Sequence, residues 1–126
     1  MPTKERAGPP RMKRRWIPVF LWMAVIYAVS EIPFGLPIFA RAEKIHLDWL
    51  VHVVEYGVLG FLLARAFGHP RYWAAALLIG ALYGASDEWH QRWVPPRDPS
   101  AQDACADTIG VALGAWCWTR QQRKKL

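Results

Sequence analysis

Four apolar runs divide this chain, and the ionisable residues between them are sorted by sign. Segments 1–15, 65–71 and 120–126 hold 12 of the 16 Lys and Arg residues. The remaining turns and helix ends hold nine of the ten acidic residues, all but Glu5, together with His46, His52 and His90. A chain whose alternate turns carry opposite charge fits a helical bundle that crosses a membrane repeatedly, with its basic turns on the cytoplasmic side. A soluble bundle has no reason to sort its charges this way. The net charge of +6 suits nucleic acid as well as an anionic membrane surface. The placement of the charges selects the membrane, and no nucleic-acid partner is expected.

The runs are Trp16 to Ser30, Asp48 to Phe67, Tyr72 to Trp89, and Ser100 to Thr119. Their uninterrupted apolar cores are only about 15 residues long, whereas a span needs about 20. With their polar-ended turns included, the runs make four helices of about 17–20 residues, within the spanning range. The expected fold is therefore an all-α bundle of four transmembrane helices with both termini cytoplasmic. Residues 1–15 and 120–126 form basic tails around a helical membrane domain over 16–119. Seven of the eight Trp (Trp16, Trp49, Trp73, Trp89, Trp93, Trp116 and Trp118) fall near helix ends, as interfacial anchors do. Gly80 and Gly84 predict close helix packing. Ser100 is the expected cap of the fourth helix, with Asp103 at the third position of a capping box. Cys105 and Cys117 share that helix, about 18 Å apart along its axis, which forbids a disulfide between them. Both read as packing residues. His46 and His69 read as solvated loop residues.

The densest chemistry lies between Ser86 and Asp107, in SDEWHQRWVPPRDPSAQDACAD. Asp87, Glu88, His90 and Gln91 end the third helix, the loop carries Arg97, and Asp103 and Asp107 begin the fourth, four residues apart on one face. On the second helix, Asp48, His52 and Glu55 form a stripe of the same kind. In the four-span topology these ends meet at the outer membrane face. Ionisable groups at membrane depth are costly and default to a functional role.

Three chemistries fit. His52 or His90 can act as a general base oriented by a carboxylate, with Glu55, Asp87 and Glu88 as further candidate catalytic groups. His and carboxylates can hold a divalent metal that activates water, although DEWH is not the HExxH motif and no three ligands sit at a standard interval. Arg97 can hold an anionic head group through its guanidinium fork, with Asp48, Gln91, Asp103 and Asp107 as further candidate substrate-binding residues. The competing reading is structural. In it the same groups form a salt-bridge cap that locks the helices, and the chain is a non-catalytic binding or assembly factor. A proton-coupled carrier is less favoured, because the carboxylates crowd one face.

These residues resemble the VanZ-like family of small bacterial integral membrane proteins. The resemblance is carried by Asp48-x-x-x-His52, Glu55-Tyr56 and Gly60 on the second helix. It is stronger in YGASDEWHQRWVPPRDPSAQDACADTIGVALG, Tyr83 to Gly114, with its DE-x-H-Q segment, VPGR-type loop and D-x-x-x-D-x-x-G helix. It covers about residues 16–118. Pro96 stands where the family usually has glycine, and Trp49 where a basic residue is common. The resemblance implies a multi-pass protein of the bacterial cytoplasmic membrane and of the cell envelope. The family is named for a protein linked to resistance to the glycopeptide teicoplanin. An outward polar cluster suits a substrate with an apolar tail in the bilayer and an anionic head at its surface, such as an undecaprenyl-linked intermediate or a phospholipid. The sequence leaves the cofactor and the oligomeric state open.

Overall fold

In a computed structural model, residues 11–31, 48–94 and 100–125 are described. Among them, four α-helices account for nearly everything: α1 Arg11–Ser30, α2 Asp48–Phe67, α3 Trp73–Gln91 and α4 Ala101–Arg123. A short 3₁₀ turn, Pro70–Tyr72, links α2 to α3. Gly68 ends α2 in the left-handed region at φ 76°, a conformation that glycine adopts without a Cβ penalty. His69 then caps the 3₁₀ turn, its Nδ1 accepting from the Arg71 amide at 3.2 Å.

Two helices run past their expected ends. α1 takes in Arg11, Lys13, Arg14 and Arg15, which makes Pro18 an interior residue that leaves the Arg14 carbonyl without its helical donor. α4 reaches Arg123, where basic residues suit the negative end of the helix dipole. At its start, Ser100 Oγ accepts from the amides of Gln102 (3.2 Å) and Asp103 (3.4 Å), as expected of the cap. The Ser100 amide, however, donates to Glu88 Oε2 of α3 at 3.1 Å, so the box is closed from another helix. Ser100→Ala should therefore cost about 1 kcal/mol in an unfolding titration, the usual worth of a lost N-cap.

α2 and α4 form the most extensive helix pair. Glycines set their separation. A Cβ on Gly110 would collide with the Val53 carbonyl, one on Gly114 with the Gly57 carbonyl, and one on Gly60 with the Val111 backbone. Gly110 and Gly114 make a small-xxx-small stripe that lets two backbones touch. Gly80 and Gly84 of α3 play the expected role against Val111 and Asp107 of α4. Within its bounds α1 is tied on by three polar contacts among the described residues, and Glu31 just past its end adds a fourth with His90. Trp22 Nε1 donates to the Glu55 carbonyl at 2.9 Å, Tyr83 Oη to the Met23 carbonyl at 2.7 Å, and Gln91 Nε2 to Ser30 Oγ at 3.1 Å.

The apolar core runs through Val19, Ile26, Tyr56, Leu59, Leu63, Val111 and Ala115. Outside it the usual partition is reversed. Phe20, Leu21, Val54, Leu78, Leu82, Ile109 and Leu113 are exposed, while His52, Asp87, Glu88, Gln91 and Asp107 are buried. Trp49, Trp73, Trp89, Trp93 and Trp116 are exposed near helix ends, as anchors would be. Trp118 is buried instead, and Trp16 packs edge-on against Phe67. Cys105 and Cys117 are free and exposed, so they point away from the bundle and are not packing residues. Among the described residues only one helix, over Trp49–Phe67, is long and apolar enough to cross a membrane by itself. All four helices carry charged residues within their bounds: four basic residues in α1, Asp48, Glu55 and Arg65 in α2, Asp87 and Glu88 in α3, and Asp103, Asp107, Arg120 and Arg123 in α4.

The two ends of the bundle differ in charge. At one end the Arg15 guanidinium lies against Gly68, and Arg71, Arg120 and Arg123 line one groove with Trp73 and Trp116. At the other end lie the carboxylates and two of the histidines.

Candidate functional site

His52 lies one turn into α2 and Asp107 two turns into α4. The glycine-mediated contact of these helices brings the two side chains together. His52 Nδ1–H donates to Asp107 Oδ1 at 2.8 Å, with the imidazole 10% exposed and the carboxylate fully buried. An ionised Asp107 fixes the imidazole proton on Nδ1 and makes Nε2 the basic nitrogen. Asp107 fits because Gly84 of α3 has no side chain. A Cβ there would stand 3.0 Å from Asp107 Cβ and 3.2 Å from its Oδ2.

α3 supplies the third group. Glu88 is buried, and its Oε2 is engaged by the Ser100 amide. Glu88 Oε1 and Asp107 Oδ2 are both buried and accept no hydrogen bond among the described residues. A buried carboxylate oxygen left this way forfeits its hydration without return. One turn along α2, Tyr56 is fully buried and its Oη–H donates to Asp87 Oδ2 at 3.3 Å. The described centre is thus His52, Asp107 and Glu88, with Tyr56 and Asp87 beside it.

The other predicted residues are placed differently. His90 is not brought to this centre. Its Nε2 pairs with Glu31 at the end of α1, and its ring rests on Tyr27 with centroids 5.1 Å apart. Gln91 is buried but bonds Ser30, which ties α3 to α1 rather than lining the centre. Glu55 is half-buried on α2, and its carbonyl takes the Trp22 bond. Asp103 is half-buried in the first turn of α4. Arg97 lies outside the described residues, as does the side chain of Asp48. Three contributors escaped sequence reasoning: the Ser100 amide on Glu88, Glu31 as the partner of His90, and Gly84 as the residue that makes room for Asp107.

Four helices around a buried histidine–carboxylate centre, with an apolar outer surface, define a helical-bundle protein that keeps its polar chemistry inside. The family model described as VanZ/LLP1 matches residues 14–121, nearly the whole bundle. The chain belongs to the VanZ/LLP1 family. No curated protein and no solved structure gives a match to it.

Proposed function

We propose that the chain is a multi-pass protein of the bacterial cytoplasmic membrane, with both termini cytoplasmic, that binds and processes a lipid-linked anionic head group at its acidic end. The observation that carries this reading is the reversed partition. His52, Asp107 and Glu88 are buried, and large aliphatic side chains are exposed on all four helices. Lipid is the solvent that suits such a surface, and buried ionisable groups in lipid mark a working site. Basic residues gather at the opposite end, in keeping with a cytoplasmic side. The His52–Asp107 pair supplies the chemistry. Nε2 takes a proton from an attacking water or hydroxyl, and Asp107 stabilises the imidazolium that forms. Tyr56 positions Asp87 beside it. A link to glycopeptide resistance would follow from the head group being that of a cell-wall precursor.

The test uses the full chain purified in detergent. Native mass spectrometry should show retention of an added polyprenyl phosphate. His52→Gln should weaken that retention about tenfold or more, as loss of a positioned polar contact does. Its unfolding midpoint should stay near that of the unaltered chain. Equal retention by both proteins would remove His52 from the site.

The structural alternative has an observation of its own, since Gln91–Ser30 and Glu88–Ser100 tie helix ends together. Under it, His52→Gln lowers the unfolding midpoint and leaves lipid retention untouched.

A further inference from the structure

We infer that His52, Glu88 and Asp107 form a binding site for one divalent transition-metal cation of the Zn²⁺ or Mn²⁺ class. One residue comes from each of α2, α3 and α4, and each offers one ligand atom. Those atoms lie within 4.8 Å of one another, and all three residues are buried. Donors about 2.1 Å from a common ion sit roughly 3–3.5 Å apart, so a modest inward turn of the side chains completes the sphere. His52 Nδ1 and Asp107 Oδ1 are 2.8 Å apart through one proton, so ligation by Nδ1 moves the imidazole proton to Nε2.

The second, independent observation is the pair of orphaned oxygens. Glu88 Oε1 and Asp107 Oδ2 are buried with no hydrogen bond to either among the described residues, in residues only 7% and 0% exposed. The two histidine–carboxylate pairs among the described residues are His52–Asp107 and His90–Glu31, and neither reaches Glu88. Two buried carboxyl groups beside one imidazole leave oxygens that the interior does not solvate. A divalent cation favours the ionised form of both groups and takes up the orphaned oxygens. The donor set selects the ion class. An imidazole nitrogen with two carboxylates suits zinc or manganese, whereas calcium and magnesium favour oxygen alone. Three protein ligands leave a position open for water or for a phosphate oxygen, the arrangement of a catalytic rather than a structural site.

This inference rests on the same buried centre as the head-group proposal, and the experiment separates the two. Full-length protein in detergent, stripped with chelator, is titrated with Zn²⁺ and with Mn²⁺ by calorimetry while helical circular dichroism monitors folding. The unaltered chain and Glu31→Gln should each take up about one ion per chain. Glu88→Gln and Asp107→Asn should each raise the dissociation constant at least about tenfold, the scale of losing a metal-site group. Uptake well below one ion by the folded, unaltered chain overturns the site, whatever the variants do. Uptake that both variants keep also overturns it, as binding by surface histidines. Polyprenyl phosphate retention is then measured both in chelator and with the metal restored. Retention without metal uptake leaves the head-group proposal standing and the cation site refuted. Metal uptake without retention does the reverse.

Discussion

Alanine at Gly114 is expected to unfold the bundle under conditions in which the unaltered chain is fully helical. The added Cβ would collide with the Gly57 carbonyl and stand 2.8 Å from the Phe61 amide nitrogen, so the obstacle is the backbone of α2. Overpacking costs about 1–3 kcal/mol where side chains can yield. Here neither helix can yield without the two axes separating, so the loss should reach or exceed the top of that range. Gly57→Ala is the contrast. Its Cβ would meet the Gly110 carbonyl at 3.5 Å, an ordinary contact, and the change should be close to neutral. Unfolding midpoints in one detergent decide the matter. Equal destabilisation by the two substitutions would mean that the α2–α4 crossing is looser than described.

Glu88→Gln is expected to stabilise the chelated protein by about 1–3 kcal/mol, because it replaces a buried carboxyl oxygen that has no hydrogen-bond partner among the described residues. The amide keeps an oxygen for the Ser100 N–H and gains a donor that can reach Asp107 Oδ2. With Zn²⁺ or Mn²⁺ in excess the order should reverse. Cation binding stabilises only the native state, and the unaltered chain alone keeps the full ligand set. Thermal unfolding of both proteins with chelator and with metal gives four midpoints, and the crossing of the two lines is the signature. Lower stability of Glu88→Gln under both conditions would show that the carboxylate supports the bundle by itself.

Much of this arrangement is legible in the sequence. The bounds of α2 follow from the polar stripe at its start and Gly68 after its end. Ser100 announces α4. The stripe of Asp48, His52 and Glu55 points to one working face of α2, and helical spacing joins Asp103 to Asp107. What cannot be read is which partner His52 meets. It lies 55 residues from Asp107, and their pairing depends on the rotation of α4 about its own axis. That rotation is set by backbone contact at Gly110 and Gly114, and a glycine in the sequence does not say what presses against it. The assignment of His90 was open to arithmetic. Positions two apart on a helix do not share a face, so Glu88 and His90 could not both turn inward. Its partner Glu31 was hidden because it follows α1 in what reads as a connector. The metal ligands were invisible as a motif because each comes from a different helix.

α4 is synthesised after α1, α2 and α3, and the contacts that engage His52 and Glu88 in the buried centre wait for it. Asp107 is the partner of His52, Ser100 supplies the amide that holds Glu88, and Val111 fills the gap against Gly60 and Gly80. A nascent chain that has made only α1 to α3 holds His52 and Glu88 with neither of these partners in place. Synthesis of α4, burial of the ionisable groups and closure of the site therefore coincide. A chain stalled before α4 shows the quality-control machinery open polar groups between apolar helices, which distinguishes it from a chain that has added α4.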